Sequence, residues 1–277
     1  READRIGITN LNGGNFRFDP LHDSVAYVSP LARTVGRHVQ VYCGAPNEVF
    51  FAGFFGDHPH VFRHVQETID RTGRGRILKP ANVYVHLFSA ARPGRLQALS
   101  ELLTRWGKRE PTAPVFASTY VDAVRSALTT ARVFRTPDGW EFLDFGSCRT
   151  ARIDGEARHV DWERSTGLFG ACRRDGSLYL HLAAPDARVV LAKEPKPRPH
   201  VSEADHVLTE ATRFPDGIAV TSFSHAPRHI VFAGFPPGSP VRLRLDGAER
   251  DVRADGDGQV TLVLEEPGRT RVEARRP

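Results

Sequence analysis

Apolar positions change their spacing about halfway along the chain, and the change divides it in two. In the first half, runs of strand length alternate with helical periodicity. Arg5 to Thr9 (RIGIT) and Val39 to Cys43 (VQVYC) read as short strands. Each ends in a loop, NLNGGN and GAPNE, built from residues that tolerate positive φ or punctuate the chain. From His60 to Arg71 the apolar residues Val61, Phe62, Val65 and Ile69 share one helical face. Asn82 to Phe88 (NVYVHLF) is a β-rich run whose alternate residues point to opposite sides. Pro93 to Lys108 carries the clearest helical stripe, Leu96, Leu99, Leu102, Leu103 and Trp106, with Pro93 at a position where a missing N–H costs nothing. Pro114 to Ala117 reads as another short strand, and Ser118 is placed to cap a helix that runs to about Thr130.

Strand and helix in close succession require crossover connections, hence parallel strands. The first half therefore predicts an α/β architecture, part of a (β/α) barrel. Past Arg132 helical periodicity fades. Short β-rich runs such as WEFLDF, SLYLHLA, GIAVTSF and QVTLVLEE are separated by turns such as PDGW, RDGS, PPGSP and ADGDG. This spacing predicts an antiparallel β-sandwich. KEPKPRP, Lys193 to Pro199, reads as an extended connector. The fold class expected is α/β followed by all-β, with a barrel portion over 1–131 and a sandwich over 132–277.

Composition narrows the partners. The chain has 277 residues, 40% of them hydrophobic, which is enough to bury a sizeable core. No apolar run approaches the roughly 18 residues needed to span a bilayer, so no membrane span is expected. The chain opens at Arg1 and has no Met, which suggests a processed protein or a piece of a longer one. The net charge of +5 comes from arginines scattered along the chain, without the basic stripe and interleaved aromatics of a nucleic-acid module. No nucleic-acid partner is expected. Cys43, Cys148 and Cys172 have no CxxC spacing. Cys148 and Cys172 could pair in an oxidising compartment, and three buried free thiols account for the sequence equally well.

Candidate chemistry gathers where strands of an α/β fold end. His86, near the end of NVYVHLFS, either faces a cleft as an acid or base or is a structural histidine bonded to nearby backbone. In the Asn47-Glu48 loop a carboxylate can hold a sugar hydroxyl, orient a histidine or act as acid or base; the alternative is a loop Asn-Glu that forms a turn or caps the next helix. Asn10 and Asn12, in the NLNGGN loop, can bond sugar hydroxyls, and Ser89 lies beside His86. His60 and His64 have the i, i+4 spacing of a zinc clamp, but no third ligand accompanies them and a solvated helix start is the preferred reading. Asp255 and Asp257 lack the closing Glu of a calcium loop. There is no GxSxG, P-loop or dinucleotide fingerprint.

Taken in order, NLNGGN, HVQVYCGAPNEVFF and ILKPANVYVHLFSAARPGRLQALSELL resemble the trailing part of the deacetylase domain of Pel-type exopolysaccharide-modifying proteins, in the NodB-like polysaccharide deacetylase superfamily. FASTYVDAV, GSCRTARI and STGLFGACRRDGSLYLHL extend the resemblance over roughly residues 5 to 185. It implies a secreted enzyme, extracellular or periplasmic, that removes acetyl groups from an N-acetylated amino-sugar polymer of a biofilm. It also implies a divalent metal, zinc by preference, and gives His86 the role of protonating the leaving amine. Asn47 and Glu48 match the family's Asn-Glu, without an assigned role. The family's metal-binding Asp and His-x-x-x-His lie upstream of these blocks and are not found in this chain. His60 and His64 have the spacing but follow the NGG block. NGGN stands where the family has an acidic residue after NGG, and VFFAGFFG alters the aromatic stretch. The chain alone is therefore expected to lack a complete active site. A non-catalytic glycan-binding or scaffolding module is the alternative.

Overall fold

The structure is a computed structural model, and it describes every residue except 1, 9, 22–31, 37, 73–79, 109–111 and 226. The chain divides into two compact units, Arg1–Thr112 and Ala113–Pro277. Strands dominate, and no sheet closes into a barrel among the described residues.

The first unit contains α1 (Glu2–Arg5), β1 (Leu11–Asn12), β2 (Ala32–Val35), β3 (His38–Tyr42), α2 (Glu48–Phe55), α3 (Arg63–Asp70), a 3-10 turn (Leu87–Ala91) and α4 (Pro93–Lys108). β3 lies between the other two strands, parallel to β1 (Leu11 opposite Val41) and antiparallel to β2 (Ala32 opposite Val41). Phe51, Val61, Phe62, Val65, Ala98 and Leu102 form the buried core, with Val83 and Val85 packed on it. Each such side chain removed from water contributes about 1.5–3 kcal/mol. Close packing also dictates Gly44, where a Cβ would stand 1.9 Å from the ring of Phe16.

Three expected strands in this half are corrected. Arg5 ends the one-turn α1 and Ile6–Gly7 form a turn, so RIGIT is not a strand; its last residue, Thr9, lies outside the described residues. Asn82 to His86 joins no ladder; its Tyr84 N–H donates to Pro46 O (3.2 Å), and the chain then enters the 3-10 turn. Pro114 to Phe116 is likewise unpaired and leads into α5 (Ala117–Thr129), whose N-cap is Phe116 and not Ser118. In all three segments β-forming composition lacks, among the described residues, the neighbouring edge that a strand needs. α2 was not expected, because VFFAGFF is apolar at consecutive positions and has no 3.6-residue period. Of the predicted parallel order, the described residues of this unit show one pair of strands.

The second unit begins with α5 and continues with fifteen strands. A four-stranded sheet combines β4 (Arg132–Thr136), β5 (Gly139–Leu143), β10 (Ala187–Ala192) and β7 (His159–Val160). A six-stranded sheet runs β17 (Val260–Leu264), β14 (Arg228–Ala233), β11 (His200–Ala204), β8 (Leu168–Arg174), β9 (Ser177–Leu182) and β6 (Thr150–Asp154). It is mixed, because β11 meets β8 in parallel at Val201 and Gly170. A five-stranded sheet runs β12 (Val207–Arg213), β13 (Gly217–Ser224), β18 (Gly268–Arg275), β15 (Pro240–Leu245) and β16 (Ala248–Arg253). The KEPKPRP connector joins β10 to β11, and the Asp-Gly pairs at 175–176 and 246–247 turn their hairpins with positive φ at both residues.

Two cores hold this unit. Phe142, Trp162, Leu168, Leu180 and Val189 belong to one; Phe169, Val201, Ile218, Phe232, Leu243 and Val272 belong to the other, which lies between the six- and five-stranded sheets. Arg228 is buried beside the second, donating to Ser222 Oγ (3.2 Å), Glu266 O (2.8 Å) and Thr270 Oγ1 (2.7 Å). All three cysteines are free, so Cys148 and Cys172 do not pair, and burial pushes each thiol above its usual pKa.

Burial also lowers the pKa of His181, His200 and His206 from the ordinary 6.5. An imidazole whose pKa falls on folding binds fewer protons in the native state than in the unfolded chain. Its stabilising contribution is then complete above the unfolded value and is lost as pH drops below it. The denaturation midpoint of the second unit is expected to fall between about pH 7.5 and 5, and His181→Gln to remove part of that slope. A midpoint that stays level over this window in the unaltered chain would contradict the assignment.

Candidate functional site

The candidate site is assembled at the N-terminus of α2. Asn47 takes the extended N-cap conformation (φ −141°, ψ 167°), and its Oδ1 accepts the Phe50 N–H at 2.9 Å. Its Nδ2 donates to Asn15 Oδ1 (2.8 Å), which ties the NLNGGN loop to the helix. The cap sets Glu48 as the first helical residue, where the positive end of the helix dipole favours a carboxylate. Glu48 is 0% exposed. A carboxylate can be held there only by donors, and three converge on Oε1: Ser89 Oγ–H at 2.6 Å, His86 Nδ1 at 3.0 Å and the His86 backbone N–H at 3.2 Å. Oε2 is buried with no hydrogen-bond partner among the described residues.

These bonds position His86. It is extended (φ −83°, ψ 136°) at the entry to the 3-10 turn, and its carbonyl accepts the Ser89 N–H at 2.9 Å. With a carboxylate facing Nδ1, the hydrogen sits on Nδ1, and Nε2 is left as the atom that gains or loses a proton. The ring is 30% exposed. Phe88 stacks on it at 5.2 Å and 20°, and Tyr84 meets it edge-on at 4.7 Å. About half of Tyr84 and Phe88 is open to solvent, so the imidazole opens between two aromatic walls. Behind it, Asn82 hydrogen-bonds to Cys43 at the end of β3.

His86, Glu48, Ser89 and Asn47 thus come together as one hydrogen-bonded set. Glu48, Ser89 and Asn47 are all buried, so they orient His86 and its loop from within. Asn10 is placed elsewhere, on the sheet, where its Oδ1 accepts Gln40 Nε2 at 3.1 Å. The Asn12 side chain lies outside the described residues; its backbone pairs with Tyr42. Asn15, Tyr84 and Phe88 were not anticipated. The two aromatics had a signal, because Tyr84, His86 and Phe88 alternate along a run whose composition reads as extended, although Phe88 reaches His86 from the 3-10 turn. His60 and His64, read by preference as a solvated helix start, are both half-buried, and the rings that meet are His58 and His64, with Nε2 atoms 3.3 Å apart.

The arrangement suits proton transfer at Nε2 by a histidine whose second nitrogen is held by a carboxylate. In comparisons with protein-family models, curated proteins and solved structures, nothing matches the chain.

Removal of the Glu48 carboxylate by Glu48→Ala leaves Ser89 Oγ and two His86 donors unpaired, at a cost of about 2–4 kcal/mol. Loss of the cap in Asn47→Ala costs about 1 kcal/mol. Native-state hydrogen exchange should locate them separately, with faster exchange at the His86 amide in the first variant and at the Phe50 amide in the second.

Proposed function

We propose that this chain is part of a metal-dependent carbohydrate N-deacetylase acting on an N-acetylated amino-sugar exopolysaccharide, with His86 as the proton donor to the leaving amine. The observation that carries the reading is the buried Glu48 carboxylate bonded to His86 Nδ1, with Nε2 free to exchange a proton. Glu48 stabilises the imidazolium by the same bond that fixes the tautomer. When water has added to the acetyl carbonyl carbon, losing one proton to the solvent, the C–N bond breaks as the nitrogen takes the Nε2 proton. The acetic acid formed gives up its own proton to the solvent. Acetate and a free amine leave, and His86 is neutral. Tyr84 and Phe88 offer apolar faces for the sugar ring on either side.

Two further parts of the reading concern the frame. The first unit, with its parallel β1–β3 pair, is read as the trailing portion of a (β/α) barrel. The two sheets that share the Phe169–Val272 core are read as a β-sandwich that binds glycan or serves as scaffold. Secretion follows from the substrate. Among the described residues no group of three His, Cys, Asp or Glu side chains is placed to hold a metal ion. No step is therefore assigned to a metal here, and on this reading its ligands lie outside the described residues.

The test uses the full chain and oligomers of N-acetylated and de-acetylated amino sugars. Shifts of the His86 ring resonances are expected with the oligomers, and weaker binding with Tyr84→Ala. No metal-dependent acetate release is expected from the chain by itself. Unmoved His86 resonances at saturating oligomer would overturn the site, and metal-dependent acetate release by this chain would overturn the partial-enzyme reading.

A further inference from the structure

We propose that His58 and His64 form a second site, which holds a divalent cation of zinc type between their Nε2 atoms, with water completing the coordination. The site stands apart from the deacetylase reading and shares no residue with it.

The first ground is distance. Two nitrogens each about 2.0–2.1 Å from a tetrahedral zinc stand about 3.3–3.4 Å apart, and the two Nε2 atoms are 3.3 Å apart. The same distance also admits a hydrogen bond from one ring's N–H to the other's lone pair, which an arriving cation would replace. The ring centroids, 5.4 Å apart, also fit two imidazoles converging on one ion through Nε2.

The second ground is the tautomer. His64 Nδ1 faces Glu67 Oε2 at 3.0 Å, one turn along α3. A carboxylate at Nδ1 draws the ring hydrogen there and leaves the Nε2 lone pair pointing at His58, the outer arrangement that metal-ligating histidines use. Arg71 balances the other Glu67 oxygen (Nε to Oε1 3.6 Å). Phe55 stacks on His64 at 3.9 Å and 16°, which fixes the ring plane.

The third ground is that the His58 segment is held before any ion arrives. Asp57 is paired with both Arg92 and Arg95, and Arg95 is buried. These arginines engage both oxygens of the Asp57 carboxylate, so it is not the third ligand. Pro59 rests on α4 at Gly94, where a Cβ would stand 2.4 Å from the proline Cβ. Both histidines retain partial exposure, so water can reach the remaining positions. Imidazole pairs suit zinc, copper and nickel and do not suit magnesium or calcium.

The experiment takes the full chain, stripped of metal by a chelator, and adds stoichiometric Zn2+ alone. Proton–nitrogen correlation spectra of the imidazoles should show two Nε2 resonances moving together; these two should be the ones missing from His58→Ala and His64→Ala. His60→Ala should leave both shifts in place. Glu67→Gln should weaken Zn2+ binding about 10-fold. Unmoved Nε2 resonances in the unaltered chain would overturn the site, as would equal Zn2+ binding by the His58→Ala, His64→Ala double variant. Should His64→Ala unfold for want of its Phe55 stack, the unaltered chain and His58→Ala still decide the question. The sugar titration of His86 is read at a different ring, so the two proposals fail separately.

Discussion

A carboxylate with no exposure, at the first residue of a helix, is the constraint on which the first unit depends. Glu48 is costly to bury, and its three donors all come from the segment that contains His86 and Ser89. That segment belongs to no sheet. Its place is determined by the Glu48 bonds, by the Tyr84–Pro46 backbone bond and by the packing of Val83 and Val85. The usual order of construction, in which a rigid ladder presents a catalytic side chain, is reversed here. The polar cluster holds the segment, and the segment's apolar residues seal the cluster from water, which strengthens each of its bonds.

The second unit solves a related problem by different means. Arg228 is a buried cation satisfied by two hydroxyls and a carbonyl, with no carboxylate as its direct partner. Long ladders supply the rigidity that makes this possible: β13 runs beside β18 for eight residue pairs, from Gly217 with Arg275 to Ser224 with Gly268. Ser222 and Thr270, both partners of Arg228, face each other in that register, so the geometry of the sheet places the acceptors before the arginine arrives. His181, buried in the same unit, has its pKa lowered by desolvation with no interaction to offset it.

The parts legible in the sequence were those encoded locally. α4 followed from Pro93 and its leucine stripe, β3 from VQVYC, and the hairpins from their Asp-Gly turns. The composition of NVYVHLFS spoke for a strand, and no neighbouring edge exists for it among the described residues. α2 has no amphipathic period to display, since Phe50 and Phe51 are adjacent and Phe54 and Phe55 remain exposed. Asn47 and Glu48 were legible as a possible helix cap and as a possible partner for a histidine, and they do both. The burial of Glu48 was not legible, because glutamate is seldom fully buried and its donors lie about forty residues away. The pairing of His58 with His64 was not legible for a similar reason: the two are six residues apart, across a proline turn, where no periodicity applies.

One chemical device occurs twice in the first unit and leads to different ends. In Glu48–His86 and in Glu67–His64 a carboxylate at Nδ1 sets the tautomer and leaves Nε2 active. What separates them is the surroundings of Nε2. At His86 the ring neighbours are the aromatic rings of Tyr84 and Phe88, and on the proposed reading Nε2 trades a proton with a sugar held beside them. At His64 the neighbour is a second imidazole nitrogen, and two lone pairs at that distance repel unless a cation or a proton lies between them. An N–H on one ring can bridge the 3.3 Å gap, and on the proposed reading an ion of zinc size takes that place. The carboxylate prepares the histidine in both places, and the neighbour of Nε2 decides what the histidine can do.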